Sequence, residues 1–250
     1  MEIKFSWNQT EYTANLDEGI DISISFKEEY HQVNCFYAPF YNSQAVKSGD
    51  FIGSVKQGGP VNFYNSFINF HGGGTHTEGI GHISENRESV NGIFKDFFGI
   101  ACLLSVYPTQ SENGDRSILK SSLELLMAEI QQTDFLIIRT LPNDEQKKSR
   151  HYSGTNPPFV DPEAMKWLVE RGYKHLLIDL PSVDKEMDDG LLACHHIFWS
   201  EQRKLHCTIT ELVFIPDQIQ DGYYLLNLQV AAIESDAAPS RPVLFSIHSY

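Results

Sequence analysis

Residues 161–180, DPEAMKWLVERGYKHLLIDL, decide the fold class. Asp161 offers a side-chain acceptor to the free N–H groups of a helix start, and Pro162 suits the first helical position, where no N–H is needed. Met165, Leu168 and Val169 then recur at helical spacing, and Gly172 suits the left-handed residue that ends a helix. Beyond it, Leu176–Leu180 (LLIDL) is a short apolar run with the length of a buried strand. Upstream, Phe135–Arg139 (FLIIR) is a second run of the same kind. Strand, helix, strand predicts a parallel pair joined by a crossover, the unit of α/β domains.

Outward from this unit, Ala101–Tyr107, Leu205–Ile215 and Tyr223–Ala231 read as strands. Ser117–Ile130 reads as a helix with Leu119, Leu123, Leu126 and Ile130 on one face, and the aromatic stretch Ile93–Phe98 reads as packed. In residues 1–25, Ile3, Phe5 and Trp7 share one parity, which predicts a pair of strands turning near Asp17–Gly19. With no repeat, linker or low-complexity segment, residues 1–250 read as one α/β domain of mixed β-sheets with flanking helices.

Composition excludes several functions. A formal net charge of −14 disfavours binding to nucleic acid or an anionic membrane. No run approaches the roughly 18 apolar residues of a membrane span, and residues 1–19 lack the apolar core of a signal peptide. The four cysteines are widely spaced and form no metal-binding or redox pair, so they read as free thiols in a cytoplasmic protein. Cys194 adjoins His195, but neighbours in sequence usually point apart, which argues against a nucleophilic pair.

The chemistry concentrates in residues 71–82, HGGGTHTEGIGH, which hold His71, His76, His82 and Glu78 among five glycines. Imidazole and carboxylate are the usual ligands of zinc and related divalent ions. Consecutive glycines disfavour a helix, so an extended segment entering a glycine turn is expected. In an extended segment residues two apart share a side, which lets His76 and Glu78 face one ion. Glycine patterns for cradling phosphate are absent.

This stretch resembles the HxGTHxDxPxH signature of the cyclase family of metal-dependent hydrolases, which includes bacterial kynurenine formamidases and isatin hydrolases. Gly74-Thr75-His76 matches the GTH core, Glu78 stands at the Asp position and His82 at the final His. His71 lies one residue further from the core than the family's first His, and Ile80 replaces the Pro. Asp179–Asp184 (DLPSVD) resembles the family's GIDTPSxD segment, and Asp236–Leu244 its DxSPxRxxL ending. The resemblance implies a swivelling β/β/α-like fold, with the loop within residues 26–50, rich in Phe36, Tyr37, Phe40 and Tyr41, walling a substrate pocket. Those rings read equally well as core.

The resemblance also implies a second half of the site. Glu211-Leu212-Val213-Phe214 fits the family's metal-binding Glu, and His195 its His, with His196 the alternative. The spacing to Glu211 is longer than usual, which places an insertion around Ser200–Lys204. On residue chemistry alone Glu211 also fits a solvent-facing position. The implied metal set is His71, His76, Glu78, His195 and Glu211, holding one or two divalent ions, zinc first and manganese or iron next. His82 becomes the general acid/base. The expected activity is hydrolysis of a C–N amide bond, in a formamide such as N-formylkynurenine or in a cyclic amide. A lactone hydrolase or cyclase using the same site, and a non-catalytic metal-binding protein, are the alternatives. Small-molecule substrates and a homodimer or higher homo-oligomer complete the expectation. Arg241 is a candidate for an anionic substrate group.

Overall fold

The computed structural model describes residues 1–200 and 202–250. Its chain opens with a hairpin of β1 (Glu2–Trp7) and β2 (Thr10–Asn15). Among the strands that follow, seven build the core of the sheet: β3 (His76–Glu78), β4 (Phe98–Val106), β5 (Phe135–Thr140), β6 (His175–Ile178), β7 (Thr208–Glu211), β8 (Gly222–Val230) and β9 (Ala237–Ser249). These seven close on themselves in the order β9-β8-β4-β5-β6-β7-β3-β9. The β4, β5, β6 and β7 ladders are parallel, and every other pairing in the ring is antiparallel. The long β9 joins the hairpin to the ring, since Ala237–Pro239 pair with β3 while Ile247–Ser249 pair with β2.

The helices include α1 (Phe70–Gly73), α2 (Lys120–Leu126), α3 (Pro162–Glu170) and α4 (Ala193–Phe198), of which α1 and α4 carry site residues. The α3 helix forms as its sequence dictates. Asp161 accepts from Glu163 N at 2.9 Å, and Gly172 has φ +85° just past its end. Residues of β5 bury both faces, as expected of a parallel strand. Leu136 and Ile138 pack with Ala164, Met165 and Leu168 of α3, while Ile137 joins Leu103, Leu177, Leu226 and Leu244 inside the ring. Removing such side chains from water is the main stabilising term, at about 1.5–3 kcal/mol for each fully buried large aliphatic. No helix among the described residues is long and apolar enough to cross a membrane.

Several expectations change in detail. The hairpin turns at Asn8 and Gln9, both at positive φ (47° and 65°), which matches the twist of a tight two-residue turn. Residues 16–18 form only a 3-10 turn, after which Ile20–Asp21 pairs with β9. The helix expected over Ser117–Ile130 is confined to Lys120–Leu126, because Arg116–Ile118 pairs with Phe159–Val160 as a strand and Leu125 faces solvent. Of the Ile93–Phe98 aromatics, Phe94 is buried while Phe97 and Phe98 are exposed. The strand expected over Leu205–Ile215 shortens to Thr208–Glu211, since Leu212 adopts φ 56° and breaks the ladder. Within the insertion expected at Ser200–Lys204, Glu201 lies outside the described residues.

Candidate metal centre

His71 sits on α1, where an extended segment was expected. Asn69 Oδ1 accepts from Gly72 N at 2.9 Å and caps this single turn of helix. The glycines serve close packing here: a Cβ on Gly72 would lie 2.3 Å from Ala38 Cβ, and one on Gly74 would lie 2.9 Å from the Ile24 carbonyl oxygen. Thr75, next in line, accepts from Ile24 N at 2.7 Å and donates to the Leu212 carbonyl, fixing the entry to β3.

On β3, His76 and Glu78 share one face, as their spacing predicts, and both are fully buried. Pairing places Glu211 of β7 opposite His76, so strand register brings the two halves of the sequence together. His76 Nδ1 donates to the Gly74 carbonyl at 3.0 Å. Its Nε2 is buried without a hydrogen-bond partner and lies 3.6 Å from Glu211 Oε2. Glu78 Oε1 is 3.0 Å from His195 Nε2, whereas Oε2, 3.0 Å from His71 Nδ1, has no hydrogen bond of good geometry.

His195 arrives on α4. Asp184 accepts from Cys194 N at 2.7 Å and His195 N at 3.1 Å, and its Oδ2 lies 2.6 Å from His195 Nδ1. That carboxylate turns Nε2 toward Glu78. His196 points outward and is exposed, so His195 is the residue that enters the site. Cys194 Sγ donates to the Val160 carbonyl at 3.1 Å and takes no part. Glu211 is buried, not solvent-facing, and accepts from Val183 N at 3.1 Å.

His82 closes the group from a 3-10 turn at Ile80–His82. Its Nδ1 is 3.8 Å from Glu78 Oε2, and its ring centroid is 4.3 Å from that of His71. The ligand atoms of His71, His76 and Glu78 lie within 4.8 Å of one another, as do those of Glu78, His82 and His195.

Electrostatics follow from burying so many charges together. Burial opposes protonation of His71 and His195, but hydrogen bonds they donate to Asp236 and Asp184 respectively, with the charge of Glu78, overcome it and raise both to about 10. Burial and the neighbouring His71 depress His76 to about 4. Burial also lowers His82. Burial, then the Glu78 charge, pushes the Glu211 carboxyl well up, while the surrounding imidazoles hold Glu78 well below the usual carboxylate range against its burial. Two carboxylates, several imidazoles and an unpartnered His76 Nε2 form a donor set that fits a divalent cation.

A cavity of about 520 Å³ opens over this group, lined by His71, His82, His195 and Glu211 below and by Phe36, Tyr37 and Leu192 around the mouth. Of the four rings expected to wall it, Phe36 and Tyr37 line the cavity, with Tyr37 79% exposed, whereas Phe40 packs against Tyr30 and His151. Arg241 is elsewhere: its guanidinium pairs with Asp21, with Nε 2.8 Å and Nη2 2.7 Å from Oδ2. His175, which sequence left without a setting, is buried between Thr208 Oγ1 (2.9 Å) and Asp96 Oδ2 (3.0 Å). Sequence missed the roles of Asp184, described above, and of Asp236, 2.9 Å from His71 Nε2. The signal for Asp236 was its place just before β9, the strand expected to lie beside the metal site.

Comparison with known proteins agrees with this architecture. The chain is 32% identical over 122 residues to kynurenine formamidase of Bacillus cytotoxicus, covering 48% of this chain and 54% of that protein. It thus spans little more than half the length of that relative. Kynurenine formamidase of Bacillus thuringiensis subsp. konkukian is 28% identical over 198 residues, 76% of this chain and 83% of that one. Among solved structures, isatin hydrolase A from Labrenzia aggregata superposes with TM-score 0.67 at 14% identity, covering 91% and 93% of the two chains. A structure described as a predicted metal-dependent hydrolase from Bacillus stearothermophilus does so with TM-score 0.64 at 18% identity, covering 91% and 98%. These two share the fold. Residues 20–185 match the Cyclase family model, and the chain belongs to the cyclase family.

Proposed function

We propose that this protein is a metal-dependent hydrolase acting on a C–N amide bond, in an aryl formamide such as N-formylkynurenine or in a cyclic amide. The observation that carries the reading is the buried, unpartnered His76 Nε2 among Glu78, Glu211 and His195, below an open cavity. His71, His76 and Glu78 on one side, and His195 and Glu211 on the other, would hold one or two ions. Zinc suits this nitrogen and oxygen set, and manganese and iron share its preferences. Held there, a divalent ion supplies the charge that polarises a carbonyl and makes water acidic enough to attack near neutral pH.

The protein's own side chains do the rest. Phe36 and Tyr37 offer flat apolar surface to a planar substrate at the mouth, and Leu192 narrows the same opening. His82 lines the cavity with Nδ1 facing the cluster. It takes the proton from the attacking water as the bond to the carbonyl carbon forms, then returns one to the leaving nitrogen as the C–N bond breaks. Asp184 keeps His195 oriented throughout. The names of the relatives, kynurenine formamidase and isatin hydrolase, support an amide of an aromatic compound as substrate. The cytoplasm as its compartment and a homodimer or larger homo-oligomer as its assembly are part of the same proposal.

The test is metal content of the purified chain, followed by hydrolysis of N-formylkynurenine, isatin and an aryl lactone before and after chelation. Hydrolysis of one of the two amides, lost on chelation and restored by zinc, supports the reading. Preferential lactone hydrolysis would move the substrate class, and stoichiometric metal with no hydrolysis would leave a binding protein.

A further inference from the structure

Asp236 stands at the edge of the centre, and its surroundings are built to hold it. Its carbonyl accepts from Gly79 N at 3.1 Å, and Ala237 pairs with Glu78 across the β3–β9 ladder. Strand pairing therefore delivers this carboxylate beside Glu78. Oδ1 accepts from Arg87 Nη2 at 2.7 Å and from Ser235 Oγ at 3.1 Å, while Oδ2 lies 2.9 Å from His71 Nε2 and, further off, 3.9 Å from His82 Nδ1. Arg87 makes its bond from backbone at φ 49°, an uncommon conformation for a residue with a side chain. Its own side chain is 71% exposed while that of Asp236 is 12% exposed, so a surface guanidinium reaches in to anchor a largely buried carboxylate.

His71 needs such an anchor. It sits in a four-residue helix that contains two glycines, so its local scaffold is slight. An unrestrained imidazole in this position can present either ring nitrogen to the centre. A carboxylate on Nε2 removes that choice: Nδ1 is then the nitrogen that lies 3.0 Å from Glu78 Oε2, grouped with His76. Histidines that bind metals commonly have their second nitrogen on a carboxylate, which fixes the ring. We infer that Asp236, clamped by Arg87, is a positioning residue that turns His71 Nδ1 toward Glu78 and His76. The inference rests on the metal-site reading above.

Two measurements test it, one of which needs no metal. In the metal-stripped chain, long-range proton–nitrogen NMR should show a slowly exchanging downfield Nε2–H of His71, assigned by its loss in His71→Gln. The signal should vanish in Asp236→Ala and exchange faster in Arg87→Ala. Zinc alone, titrated against a competing chelator, should bind Asp236→Ala about 10- to 100-fold more weakly at unchanged stoichiometry. Arg87→Ala should lose less. Adding Asp236→Ala to His71→Ala should cost nothing further, because both act through one ring. Should Asp236→Ala fail to fold, Arg87→Ala carries the test, since its side chain is at the surface. Persistence of the His71 signal in Asp236→Ala, additive losses in the double variant, or wild-type affinity in a folded Asp236→Ala each overturn the proposal. Loss of a whole zinc equivalent in Asp236→Ala also overturns it, by making Asp236 a direct ligand. A wild-type chain that binds no zinc but shows the expected His71 signal refutes the metal site and leaves the clamp standing.

Discussion

The two halves of the candidate centre are built differently. The first occupies a dozen consecutive residues, His71–His82, and depends on local devices: a one-turn helix capped by Asn69, glycines packed against Ala38 and the Ile24 carbonyl, and a three-residue strand. The second joins His195 on α4 to Glu211 at the end of β7, and only the closed ring of strands brings them near Glu78. A compact cluster concentrates chemistry in little sequence and needs outside clamps. A dispersed pair inherits its rigidity from the core that carries it.

The largest effect expected from breaking this arrangement comes at Glu78, whose carboxylate lies 3.0 Å from both His71 and His195 and so touches both halves. Glu78→Gln keeps its volume but loses the charge that balances His71, His82 and His195. Metal affinity measured by chelator competition should fall by more than the roughly 100-fold typical of losing a partner that only orients a ligand, and hydrolysis should disappear with it.

His82→Ala separates the roles within the first half. Metal content should remain at the wild-type level while kcat for the best amide drops about 10²- to 10⁴-fold, the usual contribution of a positioned acid/base. Loss of metal together with activity would make His82 a ligand.

Asp184→Asn addresses the second half. Its carboxylate holds the Nδ1 side of His195 at 2.6 Å and also accepts two backbone N–H groups of α4. Zinc affinity should fall about 10- to 100-fold, and an Asp184→Glu variant should recover little, since the longer side chain moves the oxygen. The smallest effect is on stability. In Gly72→Ala the new methyl meets Ala38 Cβ at 2.3 Å, so unfolding in urea should reveal a loss of about 1–3 kcal/mol from overpacking. A matching substitution at the exposed Gly114, φ +89° with nothing near it, should cost its backbone strain without disturbing the centre.

The same contrast explains what could be read from sequence. Asp161, Gly172 and the two apolar runs around α3 announce a parallel βαβ unit because helix caps and buried strands have local signatures. His76, Glu78 and His82 declare themselves by crowding, and the family resemblance supplied His195 and Glu211. Which of His195 and His196 enters the site depended on the rotation of α4, set by Asp184, and no local pattern encodes that. The helix at α2 is shorter than its apolar spacing predicts because Ile118 belongs to a strand whose partner, Val160, is distant in sequence. Asp236 was missed for the same reason: its importance lies in the β3–β9 pairing, which sets Ala237 opposite the sequence-distant Glu78, and not in its neighbours. Arg241, a candidate for an anion by residue type alone, is paired with Asp21.

That one cation cluster joins both halves is tested most directly by anomalous diffraction from crystals of the zinc-loaded chain, recorded on both sides of the zinc edge. The account predicts peaks bounded by His76 and Glu78 from one half and by His195 and Glu211 from the other, at about 2.0–2.2 Å from the donor atoms. No peak there, or zinc held by one half with the other left uninvolved, would contradict it.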